Sequence, residues 1–414
     1  MAAAKDSGKS VVAITKGGRW EVKKMLAEGF ELTGGIKSVV KRGNTVLLKP
    51  NMGYPPPDGM PSWTCVTDYM VLAALTELCL EAGAKRVITA DGPAHGITGK
   101  HMFEATGIRA AVEQVGGEVC ALDEEDYLLR TVPGGRTIQE QWLPRICLDA
   151  DVIINVPKVK PTRVGKFTLG YKNWFGLVPE DERLPWHRIP EHFYYLVDLF
   201  KVLPPHYTVM DGLVIQEGMG PRFGTPVDWG VLIMGKDPVA TETVTMCAIG
   251  HEPYEQPPLP IAAKAGQGTM DLDRIEVRGR SIESVERYVK VSAGDLWLNA
   301  SPNVNEYAGG TCWGCGLWMQ YTPYPDEIDK DKQYALVVGV DPHIPRSFAE
   351  DEVVVLGNCA LRHIKKIDSA CAAKGIKAQR IPGCPPYAPR KPGYLRSHGI
   401  ENLPYTQKIN RVAK

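Results

Sequence analysis

Residues 67–90 read TDYMVLAALTELCLEAGAKRVITA, and residues 45–51 before them read TVLLKPN. The apolar positions of 67–83 recur at helical spacing, Thr67 or Asp68 can cap the start, and Gly83 stops the run. The flanking runs at 45–49 and 86–90 are short stretches of β-formers closed by turn residues. Strand, helix with a glycine stop, strand is a βαβ unit, and that order favours a parallel sheet. Working outward, 11–15 and 151–157 read as further strands. Residues 209–210 and 230–234, with a helix starting near Pro238, read as another unit of the same kind. The expectation for residues 1–297 is an α/β region, two-lobed, with a parallel or mixed sheet and a cleft.

The stretch 253–268 is Pro-rich and reads as a loop or short helical connector. Residues 299–310, NASPNVNEYAGG, are polar and turn-forming, which makes them the natural boundary. Beyond them 334–340 and 352–356 read as strands, 362–374 as a helix and 376–381 as a third strand. The expectation is a small α/β cluster-binding domain over 298–391, followed by a polar tail over 392–414.

Composition narrows the function classes. Lys+Arg and Asp+Glu are 48 each in 414 residues, so the formal net charge is zero. That balance gives no electrostatic footprint for nucleic acid or an anionic membrane surface. Ten cysteines are too sparse for a disulfide scaffold. The start, MAAAKDSGKSVVAITKGGRW, has no apolar run of export-signal length, and no stretch approaches the roughly 18 apolar residues that span a bilayer. A cytoplasmic protein with reduced or metal-bound thiols is the expectation. Oligomeric state is not legible.

Five cysteines fall late in the chain: Cys312 and Cys315 in TCWGCG, Cys359 in GNCA, Cys371, and Cys384 in PGCPP. A C-x-x-C turn presents two sulfurs to one centre, and four soft thiolates suit an iron–sulfur cluster or zinc. Glycines around the first pair, with Gly357 and Gly383, let backbone N–H groups approach sulfur. Zinc ribbons usually offer a second close pair, so Cys312, Cys315, Cys359 and Cys384 read as ligands of one [4Fe–4S] cluster. Cys371, inside the predicted helix, reads as a packed thiol.

The set C-x-G-C, G-x-C-A and G-C-P-P resembles the proximal-cluster site of nickel–iron hydrogenase small subunits and the homologous subunit of respiratory complex I. The resemblance covers roughly 90 residues and implies that these four cysteines hold one four-iron cluster on a flavodoxin-like α/β domain. After the first pair Gly316 and Leu317 replace the polar continuation usual in those subunits. The resemblance therefore extends to the cluster and not to hydrogenase activity.

Three stretches of the larger region carry candidate chemistry. Lys49 and Asn51 end a strand, where open α/β sheets place ligands and where a lysine can hold an anion. Residues 90–95, ADGPAH, form a second strand and glycine turn, with His95 as a proton-handling candidate. Residues 155–179, NVPKVKPTRVGKFTLGYKNWFGLVP, carry Lys158, Lys160, Arg163, Lys166 and Lys172. Five cations over so short a span form either an anion pocket or a solvated basic face. Lys172 stands apart because Tyr171, Trp174 and Phe175 surround it, and apolar neighbours lower a lysine pKa. Asn173 adjoins it as a substrate-binding candidate. Arg222, in the glycine loop GMGPRFG, is another anion-binding candidate. Asp237 reads as a helix cap.

The stretches KPN at 49–51, TD-helix-EAGAKRV at 67–87, LGYKNWFGLVP at 169–179 and 209–242 together resemble the domain of unknown function family 362. The resemblance spans roughly residues 40–280, and many members of that family carry an iron–sulfur domain. A fainter similarity runs to the nickel-dependent lactate racemase fold. There Lys172 could match a site lysine, but Thr162 stands where that fold has a histidine, which argues against the nickel cofactor and racemase chemistry.

The reading favoured by these residues is an iron–sulfur oxidoreductase acting on a small anionic organic substrate, with a redox partner protein. Lys172 and His95 would handle protons, and Lys49, Asn51, Lys160, Asn173 and Arg222 would bind substrate. Two alternatives stay open: an iron–sulfur electron-transfer or assembly subunit without catalysis, and a non-redox epimerase or lyase with a structural metal. No flavin motif is legible, although a flavin could sit in the cleft.

Overall fold

The computed structural model describes residues 8–57, 59–94, 97–162, 164–187, 191–218, 220–222, 224–291, 303–309, 315, 331–383 and 410–412. The protein is mixed α/β, and the chain divides into two compact units. The first takes in the chain to Trp186, then Glu191–Val291 and the C-terminal Thr406–Lys414; the second takes in His187–Pro190 and Ser292–Tyr405.

The strands of the large unit are, in chain order, β1 (Ser10–Lys16), β2 (Thr45–Pro50), β3 (Arg86–Asp91), β4 (Glu118–Ala121), β5 (Asp126–Thr131), β6 (Glu140–Pro144), β7 (Val152–Val156), β8 (Lys160–Pro161), β9 (Phe167–Thr168), β10 (Tyr207–Glu217), β11 (Thr225–Gly235) and β12 (Ile275–Gly279). Eight of them form one sheet in the order β12-β1-β11-β10-β7-β2-β3-β4. The half β10-β7-β2-β3-β4 is parallel, whereas β11 runs antiparallel to both β10 and β1. Apolar runs in β2, β3 and β7 are buried because helices cover a parallel sheet on both faces.

The helix Tyr69–Glu81 joins β2 to β3. Asp68 caps its start by accepting from Met70 N. It ends in a Schellman turn: Gly83 N donates to the Leu80 carbonyl and Ala84 N to the Cys79 carbonyl. Gly83 takes φ +104°, a left-handed value that a Cβ would strain.

One expected unit takes a different form. Residues 207–235 are an antiparallel hairpin, with β10 and β11 paired from Thr208–Gly235 to Glu217–Thr225, and not a parallel βαβ unit. The connecting residues 218–224 are too short for a crossover helix, so the strands can only fold back. The helix Pro238–Ala248 follows the hairpin and is capped by Asp237 through Ala240 N.

The small unit holds β13 (Val304–Gly309), β14 (Tyr334–Gly339), β15 (Glu352–Leu356) and β16 (Ala378–Ile381), all parallel in that order. Its strand β13 lies inside the stretch expected to be a turn-forming boundary. Its polar Asn305 and its place at the sheet edge explain why no apolar run announces it. Cys371, on the helix Ile364–Ala372, packs in the core with Val337, Val355 and Phe348. A last strand, β17 (Asn410–Val412), pairs in parallel with β5 in the large unit.

Candidate functional site

The sheet order places β2 at a reversal: the chain runs from β2 to β3 and β4 on one side, then crosses to β7 on the other. Ligand crevices of open α/β sheets lie at such a switch point, outside the carboxyl ends of the strands. Lys49 and Asn51 at the end of β2, Asp91 at the end of β3 and Asn155 on β7 all collect there, and Lys49 is the register partner of Asn155.

Lys49 is fully buried, with Nζ 2.6 Å from Asp91 Oδ1 and donating to the Pro50 carbonyl at 2.8 Å. Asp91 also accepts from Met52 N and Gly92 N, each at 2.8 Å. Burial pushes the Lys49 ammonium down and the Asp91 carboxyl up, while each partner's charge opposes the shift on the other. Gly176 lies against this pair, and a Cβ there would run into Asp91 Oδ1 and Lys49 Nζ.

Arg183, on the helix Glu180–Trp186, is buried above the same loops. Its guanidinium donates to the carbonyls of Val178 (2.6 Å), Gly92 and Gly176 (3.1 Å each) and Pro93. Four carbonyls hold the cation, and the Asp91 carboxylate acts on it electrostatically.

Lys172 and Asn173 lie on the short helix Gly170–Asn173. Lys172 Nζ is 3.3 Å from His192 Nε2 and 4.7 Å from the Phe175 ring centre. Burial, reinforced by the Arg183 charge, pushes Lys172 down to about 7. Burial, reinforced by Lys172, holds His192 well below its usual value, so the imidazole is neutral at physiological pH. Asn173 Nδ2 donates to Asn155 Oδ1 at 2.8 Å and to the Lys49 carbonyl at 3.1 Å. Behind this turn Glu242, wholly buried, accepts from Tyr171 N and Gln256 Nε2, each at 3.1 Å, and burial raises it to about 7.

The remaining expected residues go elsewhere. Lys160 is buried and donates to the Cys65 carbonyl; burial lowers it to about 8, and Asp91 lies near enough to act on it electrostatically. Arg222 Nε donates to the Pro55 carbonyl at 3.0 Å, and its own carbonyl faces Cys65 Sγ at 3.4 Å. Lys160 and Arg222 thus meet at Cys65 rather than at Lys172. The cations of 155–179 do not make one pocket or one solvated face. Lys158 pairs with Asp211 at 3.0 Å in full burial, and Lys166 pairs with Glu255 at 2.7 Å. His95 and Arg163 lie outside the described residues.

Four participants were not expected as site residues: Asp91, Asn155, Arg183 and His192. The first two end strands, inside the quoted stretches 90–95 and 155–179, so their position was the available signal. Arg183 in EDERLPW and His192 in HFYYLVDLF carry no local pattern that sets them apart.

In the small unit Cys315 is buried against Leu336, Val338 and Leu356, and Cys359 is half-buried on the short helix after β15. Cys312 and Cys384 lie outside the described residues, and no three His, Cys, Asp or Glu side chains gather as a metal site among the described residues. Asn358 N donates to the Gly383 carbonyl at 2.9 Å, and Gly383 N donates to Asn358 Oδ1 at 2.8 Å. The loops that lead to Cys359 and Cys384 are therefore fastened together.

The fold and these strand-end residues define an α/β protein with several buried cations at a sheet switch point. Residues 46–247 match the family model described as "Domain of unknown function (DUF362)". A thylakoid-associated protein from Synechocystis is 31% identical over 251 residues, covering 57% of this chain and 73% of that relative. The chain belongs to the DUF362 family. Among solved structures, the lactate racemase apoprotein from Thermoanaerobacterium thermosaccharolyticum aligns at 13% identity and a TM-score of 0.38, over 57% of this chain and 56% of that one. A crystal structure from Thermotoga maritima aligns at 13% identity and a TM-score of 0.33, over 60% of each chain. The chain thus spans less than two thirds of either solved structure. Among the described residues no helix is long and apolar enough to cross a membrane.

Proposed function

We propose that this chain is an iron–sulfur oxidoreductase that binds a small anionic organic substrate at the switch point of the large sheet. The observation that supports the redox half is the sequence spacing of the cysteines from the strands of the small unit. Cys312, Cys359 and Cys384 each follow a parallel strand by three residues, after β13, β15 and β16, and those strands end at one edge of one sheet. Four thiolates so spaced in sequence would suit a [4Fe–4S] cluster, with Cys312, Cys315, Cys359 and Cys384 as its holders. When bound, such a cluster supplies one-electron transfer between a redox partner protein and the substrate.

The substrate half is supported by charge. Lys49 pairs directly with Asp91, whereas Arg183 donates to carbonyls and feels Asp91 only at longer range, and Lys172 is disfavoured as an ammonium by burial and by Arg183. A bound carboxylate or phosphate relieves both penalties on Lys172, which then takes up a proton near neutral pH. Lys172 is accordingly placed to give or take a proton at the substrate, with neutral His192 Nε2 as its neighbour.

The test is to purify the protein without oxygen and measure iron, sulfide and zinc per chain, with an EPR spectrum after dithionite. About four iron and four sulfide, with a reducible signal that Cys384→Ala removes, is the expected result. Stoichiometric zinc without iron would overturn the redox reading and favour a non-redox enzyme with a structural site.

A further inference from the structure

We propose that the switch-point crevice selects an anion that also carries a hydrogen-bond donor, a hydroxyl or an amine, and that Asn51 Oδ1 is the acceptor that selects it. The inference rests on the anion-binding reading above.

It follows from three asparagines whose orientations are fixed by backbone groups. An asparagine amide looks nearly the same either way round, so its direction has to come from its partners. Asn155 Nδ2 donates to the Gly170 carbonyl at 3.1 Å, and a carbonyl can only accept. Asn155 Oδ1 therefore faces Asn173, whose Nδ2 reaches it at 2.8 Å and also reaches the Lys49 carbonyl at 3.1 Å. Asn173 Oδ1 in turn accepts from Asn51 Nδ2 at 3.1 Å. Two carbonyls at the base of the ladder thus orient all three amides, and the ladder ends on Asn51 Oδ1.

That last oxygen is buried and has no hydrogen-bond partner among the described residues. The rest of Asn51 is fixed: its N–H donates to Thr67 Oγ1 at 2.7 Å, and its carbonyl accepts from Thr67 N at 3.0 Å. Thr67 Oγ1 is itself anchored to the Val156 carbonyl at 2.7 Å. Neither a flip of the amide nor a shift of the backbone can satisfy Oδ1 without breaking bonds below it. A buried acceptor left open costs free energy that a ligand recovers by donating to it. A bare carboxylate has only acceptors and would face Oδ1 with repulsion.

Calorimetric titration of the full-length protein with two matched series tests this: acetate, glycolate and glycine, then succinate, malate and aspartate. In at least one series the hydroxyl or amine member is expected to bind about ten- to a hundredfold tighter than the member that lacks a donor. Asn51→Ala is expected to reduce that preference to within about twofold. Equal affinity for all members of a series that binds would overturn donor selection while leaving the anion site standing. No binding in either series would overturn the small-anion reading and this inference with it.

Discussion

In the large unit the polar groups at the strand ends are fastened to one another: Lys49 to Asp91, Asn173 to Asn155 and the Lys49 carbonyl, Arg183 to four carbonyls. In the small unit the sheet is an ordinary apolar core, and the chemistry-bearing residues come just beyond it, with Cys315 packed on Leu336, Val338 and Leu356. Both units use the carboxyl edge of parallel strands. They differ in what completes the edge. Protein–protein hydrogen bonds preorganise the first, whereas on the proposed reading the thiols of the second would gain their strong partners from a metal cluster.

That difference predicts separate responses to metal. Stripping iron with a chelator should raise hydrogen exchange across the small unit, residues 303–383, by about tenfold or more, because metal binding is folding free energy for the loops it ties. Exchange in residues 45–250 should stay unchanged. Parallel loosening of both regions would break the contrast.

The converse change strikes the large unit. Lys49→Met leaves Asp91 buried without its cation, and breaking such a pair costs about 3–5 kcal/mol. Urea unfolding should show that loss while iron per chain stays the same. A cost under about 1 kcal/mol would mean that Met52 N, Gly92 N and the nearby Arg183 charge satisfy the carboxylate without Lys49.

The pH dependence of the large unit sharpens the comparison next. Glu242 is raised from 4.5 to about 7, so the folded state binds more protons than the unfolded state over that interval and stability falls as pH rises through it. Lys172 is lowered from 10.5 to about 7, so the unfolded state binds more protons above pH 7 and stability rises from there towards pH 10.5. Lys160, lowered to about 8, adds to the rising side. The two limbs should meet in a trough near pH 7. Glu242→Gln should flatten the acid limb and Lys172→Met the alkaline one, read as denaturation midpoints across pH. A profile in which neither variant alters its limb would remove both groups from the account.

Legibility in the sequence followed the same physics. β2, β3, β7, β14 and β15 announce themselves as apolar runs because helices cover a parallel sheet on both faces. The antiparallel β10 and β11 misled because two apolar runs before a helix look like a crossover unless the shortness of 218–224 is weighed. Edge strands β12 and β13 carry too many polar residues to stand out, and β4 is only four residues long, whereas β16 falls within the expected strand 376–381. At the site, Lys49, Asn51, Lys172 and Asn173 lie in stretches whose glycines and prolines mark strand ends. Arg183 and His192 join them only through tertiary packing, Arg183 by reaching back 90 residues in sequence to Pro93.

The smallest expected effect concerns the C-terminal strand. Arg411 on β17 reaches Asp181 at 2.9 and 3.0 Å and Glu182 at 3.1 Å, on the helix that carries Arg183. Glu182 also accepts from Gln141 Nε2 at 2.9 Å, so the helix is tied to β6 as well as to β17. Solvent-exposed ion pairs contribute about 0–1 kcal/mol, and Arg411→Ala should lower global stability by no more than that. Its local effect should be larger than its global one. With the clasp on Asp181 lost, amides 180–186 should exchange faster, while the carbonyl bonds of Arg183 keep the Lys49–Asp91 pair closed. If Arg411→Ala instead unfolds the large unit, β17 is part of its foundation, and the site helix depends on the chain beyond the small unit more than these surface bonds imply.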